Sequence, residues 1–132
     1  MTNISTLEHP EIQISRLFSL IGQPARIQIL IVISLQEACV CHIEAVLGMR
    51  QASISQHLMV LRKSGLVTSR RDGRNIFYQL ANHEVLDILQ RAAHLLGYDS
   101  ELVQSFDQSP APGCPCPKCN PDIDPALTCQ KK

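Results

Sequence analysis

Apolar residues recur at helical spacing in two consecutive segments near the start of the chain. In "PEIQISRLFSLI" (residues 10–21) every third or fourth position is apolar, which predicts an amphipathic helix. Gly22 indicates its end, and Pro24 suits the first turn of a second helix that we expect to run to about Gln36. This second helix is apolar nearly all round, so we expect it to be buried.

A short helix and a longer one follow in the middle of the chain. The short helix is predicted from about Cys41 to Leu47, with Gly48 after its end. The longer helix is predicted at residues 51–63. Its inner apolar stripe consists of Ile54, Leu58 and Leu61. A short helix, a turn at "GMR" and a longer helix form the helix-turn-helix arrangement.

A hairpin and a last helix complete the periodic part of the chain. In "LVTSRRDGRNIFYQL" (66–80), Asp-Gly separates two strand-like runs, which is a strong hairpin signal. In the second run Ile76, Tyr78 and Leu80 alternate with Asn75, Phe77 and Gln79. The last helix, from Asn82 to about Gly97, is apolar on both sides. Because one small core covers only one side, we expect a partner subunit to cover the other.

The periodic pattern stops after about Ser100. The segment "QSPAPGCPCPKCNPDIDPALTCQKK" is rich in Pro and Cys, so we expect a tail that is disordered unless something holds it. We therefore predict a winged helix-turn-helix domain for DNA binding and dimerisation at residues 1–100 and a Cys/Pro-rich C-terminal tail at 101–132. The predicted fold is mainly α with a small β-hairpin, an α+β arrangement.

The composition is that of a folded globular chain. It has 132 residues, 45% of them hydrophobic and 18% charged, which suits one domain with a modest core. No apolar run approaches the ~20 residues that cross a bilayer, and "MTNISTLEHPEI" has neither the basic start nor the apolar core of a secretory peptide. We therefore expect a cytoplasmic protein with no membrane partner. In that compartment its six cysteines are more plausible as ligands or redox groups than as structural disulfides.

The net charge is zero, but basic residues are concentrated in one region. Residues 50–74 contain six basic residues and a single acidic one, Asp72. Such a distribution suits one face that meets phosphates and a remainder that repels them. The alternative from charge alone is an ordinary solvated surface.

The helix-turn-helix and the hairpin that follows it place polar and basic residues where DNA would lie. The second helix would enter the major groove, where Gln, Ser and His can read base edges. The candidate residues of the turn and this helix are Arg50, Gln51, Ser53, Ser55, Gln56 and His57. The candidates for phosphate or minor-groove contact are Arg62, Lys63, Arg70, Arg71 and Arg74. The alternatives are a plain polar helix surface and, for His57, a packed or capping histidine.

Three stretches together resemble the arsenic-repressor/SmtB family of winged-helix metal sensors. They are "GQPARIQIL", "ACVCHIEAVLGMRQASISQHLMVLRKSGLV" and "SRRDGRNIFYQL". The resemblance covers roughly residues 12–97. It implies a homodimeric repressor, joined through its first and last helices, that binds inverted-repeat double-stranded operator DNA and releases it when an inducer binds. We do not expect an enzyme, because Cys116-Pro-Lys-Cys119 spells C-x-x-C but a thioredoxin-like site needs a βαβ setting that this sequence lacks.

The second helix of the helix-turn-helix is called the reading helix below, because it would contact the bases. Its start departs from the family pattern. The family often has Ser immediately before the Gln of this helix, whereas this chain has Arg50. Loss of a Ser cap costs about 1 kcal/mol, and a cation at a helix N-terminus is slightly unfavourable. We expect a phosphate contact of Arg50 to compensate when DNA is bound.

Cys39 and Cys41 resemble the Cys-Val-Cys pair of the family's thiolate sensors for arsenic, antimony, cadmium and lead. Residues two apart in a regular helix point about 200° apart, so two such sulfurs can share an ion only where the helix is not yet regular. Coordination of one ion by both sulfurs would then distort the short first helix of the helix-turn-helix and tilt the reading helix. The alternative is that both cysteines are small buried hydrophobes.

Two thiolates do not complete a site for a soft ion, because trivalent ions favour three sulfurs and cadmium four ligands. The arsenic-type motif has a third cysteine where this chain has Glu44, and the N-terminal segment has none. We therefore predict that the metal ligands are Cys39, Cys41 and sulfurs of the tail, with As(III), Sb(III), Cd(II) or Pb(II) as the inducer. The tail candidates are Cys114, Cys116 and Cys119; Cys129 is not expected to bind. The alternative is a tail that holds its own metal or none.

Other candidate sites are weaker. We expect His42 to be a surface residue rather than a nitrogen ligand. The family's second site, across the last helices, uses Asp, His, His and Glu. The corresponding positions here are Asn82, Glu84, Leu95 and Tyr98, so that set is broken. We expect the nearby His83, Asp87 and His94 to be surface residues. An alternative function with the same fold is a repressor that responds to thiol oxidation or persulfide formation.

Overall fold

The computed structural model describes residues 9–98, which fold into helices around a short antiparallel hairpin. The elements are α1 (Pro10–Ile21), α2 (Pro24–Leu35), α3 (Val40–Leu47), α4 (Gln51–Lys63), β1 (Val67–Asp72), β2 (Asn75–Leu80) and α5 (Glu84–Leu95). The predicted winged helix-turn-helix fold, mainly α with a small hairpin, is confirmed. The predicted boundary near residue 100 and the tail lie outside the described residues.

Local sequence explains where the helices begin and end. Pro10 and Pro24 occupy the first turns of α1 and α2, where a missing N–H costs nothing. Gly48 ends α3 in the left-handed conformation, with φ of 71°, and its backbone N–H donates to the carbonyl oxygen of Glu44. The predicted bounds of the first four helices agree with the structure to within one residue.

Helix α2 forms the centre of the core. Residues 29–33 are buried in succession, as expected for a helix that is apolar nearly all round. It packs against α3, α4, α5 and β2, and α4 contributes the predicted stripe of Ile54, Leu58 and Leu61, none of them more than 1% exposed. Burying one such side chain stabilises the fold by about 1.5–3 kcal/mol, so α4 is held firmly through this face.

The hairpin turns one residue later than the Asp-Gly signal indicates. Asp72 pairs with Asn75, so Gly73 and Arg74 are the two loop residues. Gly73 has φ of 62°, a conformation that glycine adopts without steric cost at the first loop position. The two strands pair in unbroken antiparallel register, from the pair of Val67 with Leu80 to the pair of Asp72 with Asn75 at this turn.

Strand β2 carries buried residues on both of its faces. Tyr78 and Leu80 lie in the main core, and Phe77, on the opposite face of the strand, is also buried, at 1% exposure. The reason is an added strand edge: Ala38 forms an isolated bridge with Tyr78 through two backbone hydrogen bonds of 2.9 and 2.8 Å. This places the segment just before α3 against the β1–β2 hairpin, which is the wing of the fold.

In residues 9–98 no single helix is long and apolar enough to cross a membrane. The pair α1 and α2 passes that test together, but it is bent by 89° at its break.

Candidate nucleic-acid interface and cysteine pair

Helix α4 presents a continuous outward face opposite its buried stripe. Ser53 and Gln56, both predicted to read bases, are exposed there. Ala52, Met59 and Val60 are exposed on the same face and were absent from the predicted set. The 3.6-residue period that identifies the buried stripe also places them outward. Apolar side chains on such a face suit contact with thymine methyl groups.

Gln51, the first residue of α4, points back toward α3. Its side-chain Nε2 donates to Glu44 Oε1 at 2.8 Å and to Cys41 Sγ at 3.7 Å. Its amide therefore joins the sulfur of a predicted sensing residue to the helix that is predicted to read DNA. Its predicted base contact is untested, and in this conformation its N–H groups serve α3.

His57 is engaged by α2. Its Nδ1 accepts a hydrogen bond from Arg26 Nε at 3.2 Å, while Arg26 Nη1 donates to the carbonyl oxygen of Leu20 at 2.9 Å. Partial burial, and secondarily the Arg26 charge, lower the pKa of His57 from its ordinary value of 6.5. A neutral His57 is thus part of the packing between α2 and α4. Ser55 is half-buried on the same helix.

Basic residues flank α4 at both ends. Arg50 occupies the N-cap position and its side chain makes no capping hydrogen bond, as the departure from the family pattern predicts. At the other end Arg62 and Lys63 are exposed, and Arg62 Nη1 donates to Ser69 Oγ of β1 at 3.2 Å. These cations border the outward face of α4, and their contacts with phosphates remain a prediction.

The wing arginines differ in their surroundings. Arg70 Nε donates to Glu37 Oε2 at 2.8 Å, its Nη2 donates to Glu37 Oε1, and its guanidinium carbon lies 5.0 Å from the centre of the Phe77 ring. The hydrogen bond to Glu37 raises the pKa of Arg70 above its ordinary value. Arg71 and Arg74 are exposed, and neither has an ion-pair partner within residues 9–98.

The cysteine pair lies at the start of α3, where the helix is not yet regular. Cys39 is the N-cap residue, with φ of −85° and ψ of 168°, and its Sγ accepts a hydrogen bond from the backbone N–H of His42 at 3.4 Å. Cys41 is the second helical residue. Both are buried against Phe77, at 2% and 7% exposure. Cys41 is disulfide-bonded and Cys39 is a thiol, so the two sulfurs are not joined to each other.

The described part of the chain does not contain a complete metal site. Across residues 9–98 no three side chains of His, Cys, Asp or Glu come together in a way that could hold an ion. The predicted tail ligands Cys114, Cys116 and Cys119 lie outside these residues. The prediction that His42 is a surface residue is wrong, because the whole first turn of α3 is packed inward and His42 is 5% exposed.

The second family site is broken in the structure as in the sequence. Of its positions, Leu95 and Tyr98 are exposed side chains without metal-binding chemistry of the required kind. His83, Asp87 and His94 are exposed, as predicted. They do not belong to any group of three possible metal ligands within residues 9–98.

Two helices carry exposed apolar side chains. On α1 these are Ile12, Ile14 and Phe18, and at the end of α5 they are Leu95, Leu96 and Tyr98, with Leu95 at 85% exposure. The inner side of α5, including Leu86, Ile88 and Leu89, packs against the core. Exposed apolar side chains grouped on a helix of a small domain are typical of an interaction surface.

Comparison with known proteins identifies the type of domain. The profile of the family described as "Bacterial regulatory protein, arsR family" matches residues 23–69, from α2 to the start of β1. The transcriptional repressor SmtB homolog of Synechocystis sp. is 33% identical over 81 residues, which are 61% of either chain. The arsenical resistance operon repressor of Staphylococcus xylosus is 30% identical over 104 residues, 79% of this chain and 88% of that protein. The crystal structure of NolR from Sinorhizobium fredii matches with a TM-score of 0.61 and 31% identity, over 74% of this chain and 99% of that one. The match thus spans less than two thirds of the SmtB homolog and most of the other two.

Proposed function

Because the chain belongs to the arsR family of bacterial regulatory proteins, we propose that it is a homodimeric repressor that releases its operator when a soft ion binds to cysteine thiolates. The family consists of DNA-binding transcriptional regulators and not of enzymes. The inducers proposed are As(III), Sb(III), Cd(II) and Pb(II). The name of the arsenical resistance operon repressor of Staphylococcus xylosus supports an inducer of this class.

The DNA-binding part of the proposal rests on α4 and the wing. The exposed face of Ser53 and Gln56 lies on a helix with cations at both ends, and the hairpin tip carries two further exposed arginines. Side chains of this kind read base edges, while the cations bind phosphates and set the register. In a dimer the two copies of α4 would enter successive major grooves, about one helical turn apart, on an inverted repeat.

The dimer is proposed through the exposed apolar surface of α1 and α5. Leaving Phe18 and Leu96 in water, at 54% and 73% exposure, forgoes the stabilisation that their burial would supply. A second copy of the chain offers the same surface, so a two-fold interface could cover both.

The observation that carries the sensing proposal is the hydrogen bond from Gln51 to Cys41 Sγ. A sulfur that coordinates an ion offers less electron density to a neighbouring N–H, and an ion in this place would compete with the Gln51 amide for both Cys41 and Glu44. Since Gln51 is the first residue of α4, its displacement would act directly on the helix that reads DNA.

The position of Cys39 supports a shared site. As an N-cap residue with extended backbone it lies outside the regular helix. The angle of about 200° that separates two side chains two residues apart in a helix therefore does not apply to its sulfur. The N-terminal end of α3 also favours the thiolate that soft ions require. We propose that at least one of Cys114, Cys116 and Cys119 completes the ligand set.

The test is a titration of reduced, full-length protein without oxygen. Antimonite or cadmium is added to protein bound to labelled operator DNA, release is followed by fluorescence anisotropy, and the sulfur ligands are counted by X-ray absorption. We expect release with three or more sulfurs per ion. Cys39→Ser and Cys41→Ser should bind DNA and no longer respond, whereas Cys129→Ser, the matched control, should respond normally. A response that persists in both sensing variants would refute the proposal.

A second candidate function is a repressor controlled by thiol oxidation, and the disulfide at Cys41 favours it. In that case two thiols lose two protons and two electrons to an oxidant, and the new S–S bond takes the place of the ion. Oxidation of ion-free protein with diamide, or treatment with a polysulfide, should then release DNA, and soft ions should not. The two titrations give opposite results for the two functions.

A further inference from the structure

The wing is joined to the cysteine segment by a clasp of three side chains, Glu37, Arg70 and Phe77. Arg70 of β1 and Phe77 of β2 are cross-strand partners, so their side chains lie on the same face of the hairpin. The Arg70 guanidinium lies 5.0 Å from the centre of the Phe77 ring and forms a two-pronged ion pair with Glu37. Paired donors of this kind fix geometry as well as charge.

Phe77 and Glu37 each connect this clasp to the cysteine sulfurs. Phe77 is buried against Cys39 and Cys41, so its ring contacts the predicted sensing pair directly. Glu37 precedes Cys39 by two residues, and the intervening Ala38 is hydrogen-bonded to Tyr78 of β2 through its backbone. Consequently a displacement of either sulfur reaches the hairpin through an aromatic ring on one side and through the backbone on the other.

We propose that the Glu37–Arg70 clasp transmits the state of the cysteine pair to the wing. The inference rests on the proposed sensing function and adds a second output beside the Gln51 contact. An ion at the pair enlarges the contents of a site that Phe77 fills at 1% exposure, so the ring must move. Because Arg70 is stacked on that ring and bound to Glu37, the strand that carries it moves too, and the hairpin tip with Arg71 and Arg74 leaves its position on DNA.

The chain offers a matched control for this device. Arg71 is the next residue of β1 and points to the opposite face of the hairpin, and it has no ion-pair partner within the described range 9–98. Replacing it removes one wing cation without touching the clasp. Asp72 is a weaker neighbour of Arg70, 3.8 Å from its Nη1.

The first measurement is the ratio of operator Kd with and without antimonite. Glu37→Gln keeps the shape of the side chain but removes its charge, and Arg70→Gln removes the cation. We expect each to reduce the ratio by about fivefold or more, the lower range of typical allosteric coupling. The double variant should lose no more than either single one, since both act on the same contact. Arg71→Gln should weaken DNA binding in both states and leave the ratio unchanged.

The second measurement needs no inducer. Coupling between two sites is reciprocal, so operator DNA bound at the wing should change the rate at which Cys39 is alkylated in reduced protein, with the label located by peptide mass spectrometry. We expect DNA to slow this reaction several-fold in the wild type and in Arg71→Gln, and to have little effect in Glu37→Gln. Circular dichroism confirms that each variant is folded.

The two measurements separate the possible failures. If antimonite and cadmium leave the wild-type operator complex intact while DNA still slows alkylation through the clasp, the proposed inducer is wrong and the clasp stands. If the wild type responds to the ion and both clasp variants keep the full ratio and the full protection of Cys39, the clasp is only structural and the inference is overturned.

Discussion

Two glutamines on one helix have separate roles at the residue scale. Gln51 and Gln56 are both plausible base readers in the sequence, but Gln51 is bound to Glu44 and Cys41 whereas Gln56 is exposed. We expect Gln56→Ala to alter preference among operator bases by about 1–3 kcal/mol at one position. Non-specific affinity should change little. Equal losses on operator and random DNA, measured by competition, would show that Gln56 reads no base.

Gln51→Ala is the matched variant of this pair. It should leave base preference closer to that of the wild type but weaken the response to inducer, because it removes the contact between Cys41 and α4. The operator Kd with and without antimonite checks this expectation. A normal response in Gln51→Ala would mean that the sulfurs act on α4 by another route.

His57 gives the stability of the domain a defined dependence on pH. Its pKa is lowered in the folded protein by burial and by Arg26, so the unfolded chain takes up the proton first on acidification. Stability must therefore fall as the pH decreases through 6.5, until the folded protein is protonated as well. His57→Asn, whose oxygen can accept from Arg26, should flatten this part of the curve in urea titrations. His94→Asn, at an exposed position, is the control; a curve unchanged by His57→Asn would exclude His57 as the source.

At the scale of elements, the cations of α4 and the wing should act together on DNA affinity. Each phosphate contact that is lost should reduce the slope of log K against log salt by about 1. We expect this for Arg71→Gln and Lys63→Gln, whose side chains are exposed. The measurement is operator affinity across a series of salt concentrations. An affinity independent of salt would contradict the proposed interface.

The elements were predictable because their signals are local. Proline at helix starts, Gly48 in the left-handed conformation and the apolar stripe of α4 each involve neighbours within a few residues. The covered face of β2 was not predictable in this way. Phe77 is buried only because residues 37–39, far away in sequence, lie against the strand, and no period within β2 carries that information.

The same limit applies to the candidate site. The register of α4 predicted which residues face outward, but not that Gln51 turns to Cys41 or that His57 accepts from Arg26, 31 residues earlier. The location of Cys39 at the edge of α3 followed from the sequence. The burial of His42 did not, since it depends on how the first turn of α3 packs against the rest of the fold.

At the scale of the whole molecule, the dimer proposal depends on the end of α5. The sequence predicted that a partner covers one side of the last helix but did not identify the side; in the structure Leu89 packs partly on the core, whereas Leu95 and Leu96 are exposed. Leu95→Glu with Leu96→Glu should therefore give a folded monomer that has lost operator binding. Leu89→Glu should lower the free energy of unfolding as well. Sedimentation and urea unfolding distinguish the two effects, and a wild type that is monomeric at micromolar concentration would rule out the dimer.

The cap of α3 sets a stability test for the sensing pair. The Cys39 sulfur accepts the N–H of His42, a bond that a serine hydroxyl can replace and alanine cannot. Cys39→Ala should thus be less stable than Cys39→Ser by about 1 kcal/mol, as measured by urea unfolding. Equal stabilities would mean that the sulfur does not cap the helix.

This cap has an evolutionary consequence. Cysteine and serine codons differ by a single base, and at Cys39 that one change retains the helix cap while removing the sulfur on which induction is proposed to depend. Repressors locked permanently on their operators should then arise in one mutational step, without the misfolding that normally exposes a damaged protein to proteases. A bacterial population under selection against expression of the controlled genes would find this route early, and a screen for uninducible, fully folded mutants should return Cys39→Ser repeatedly.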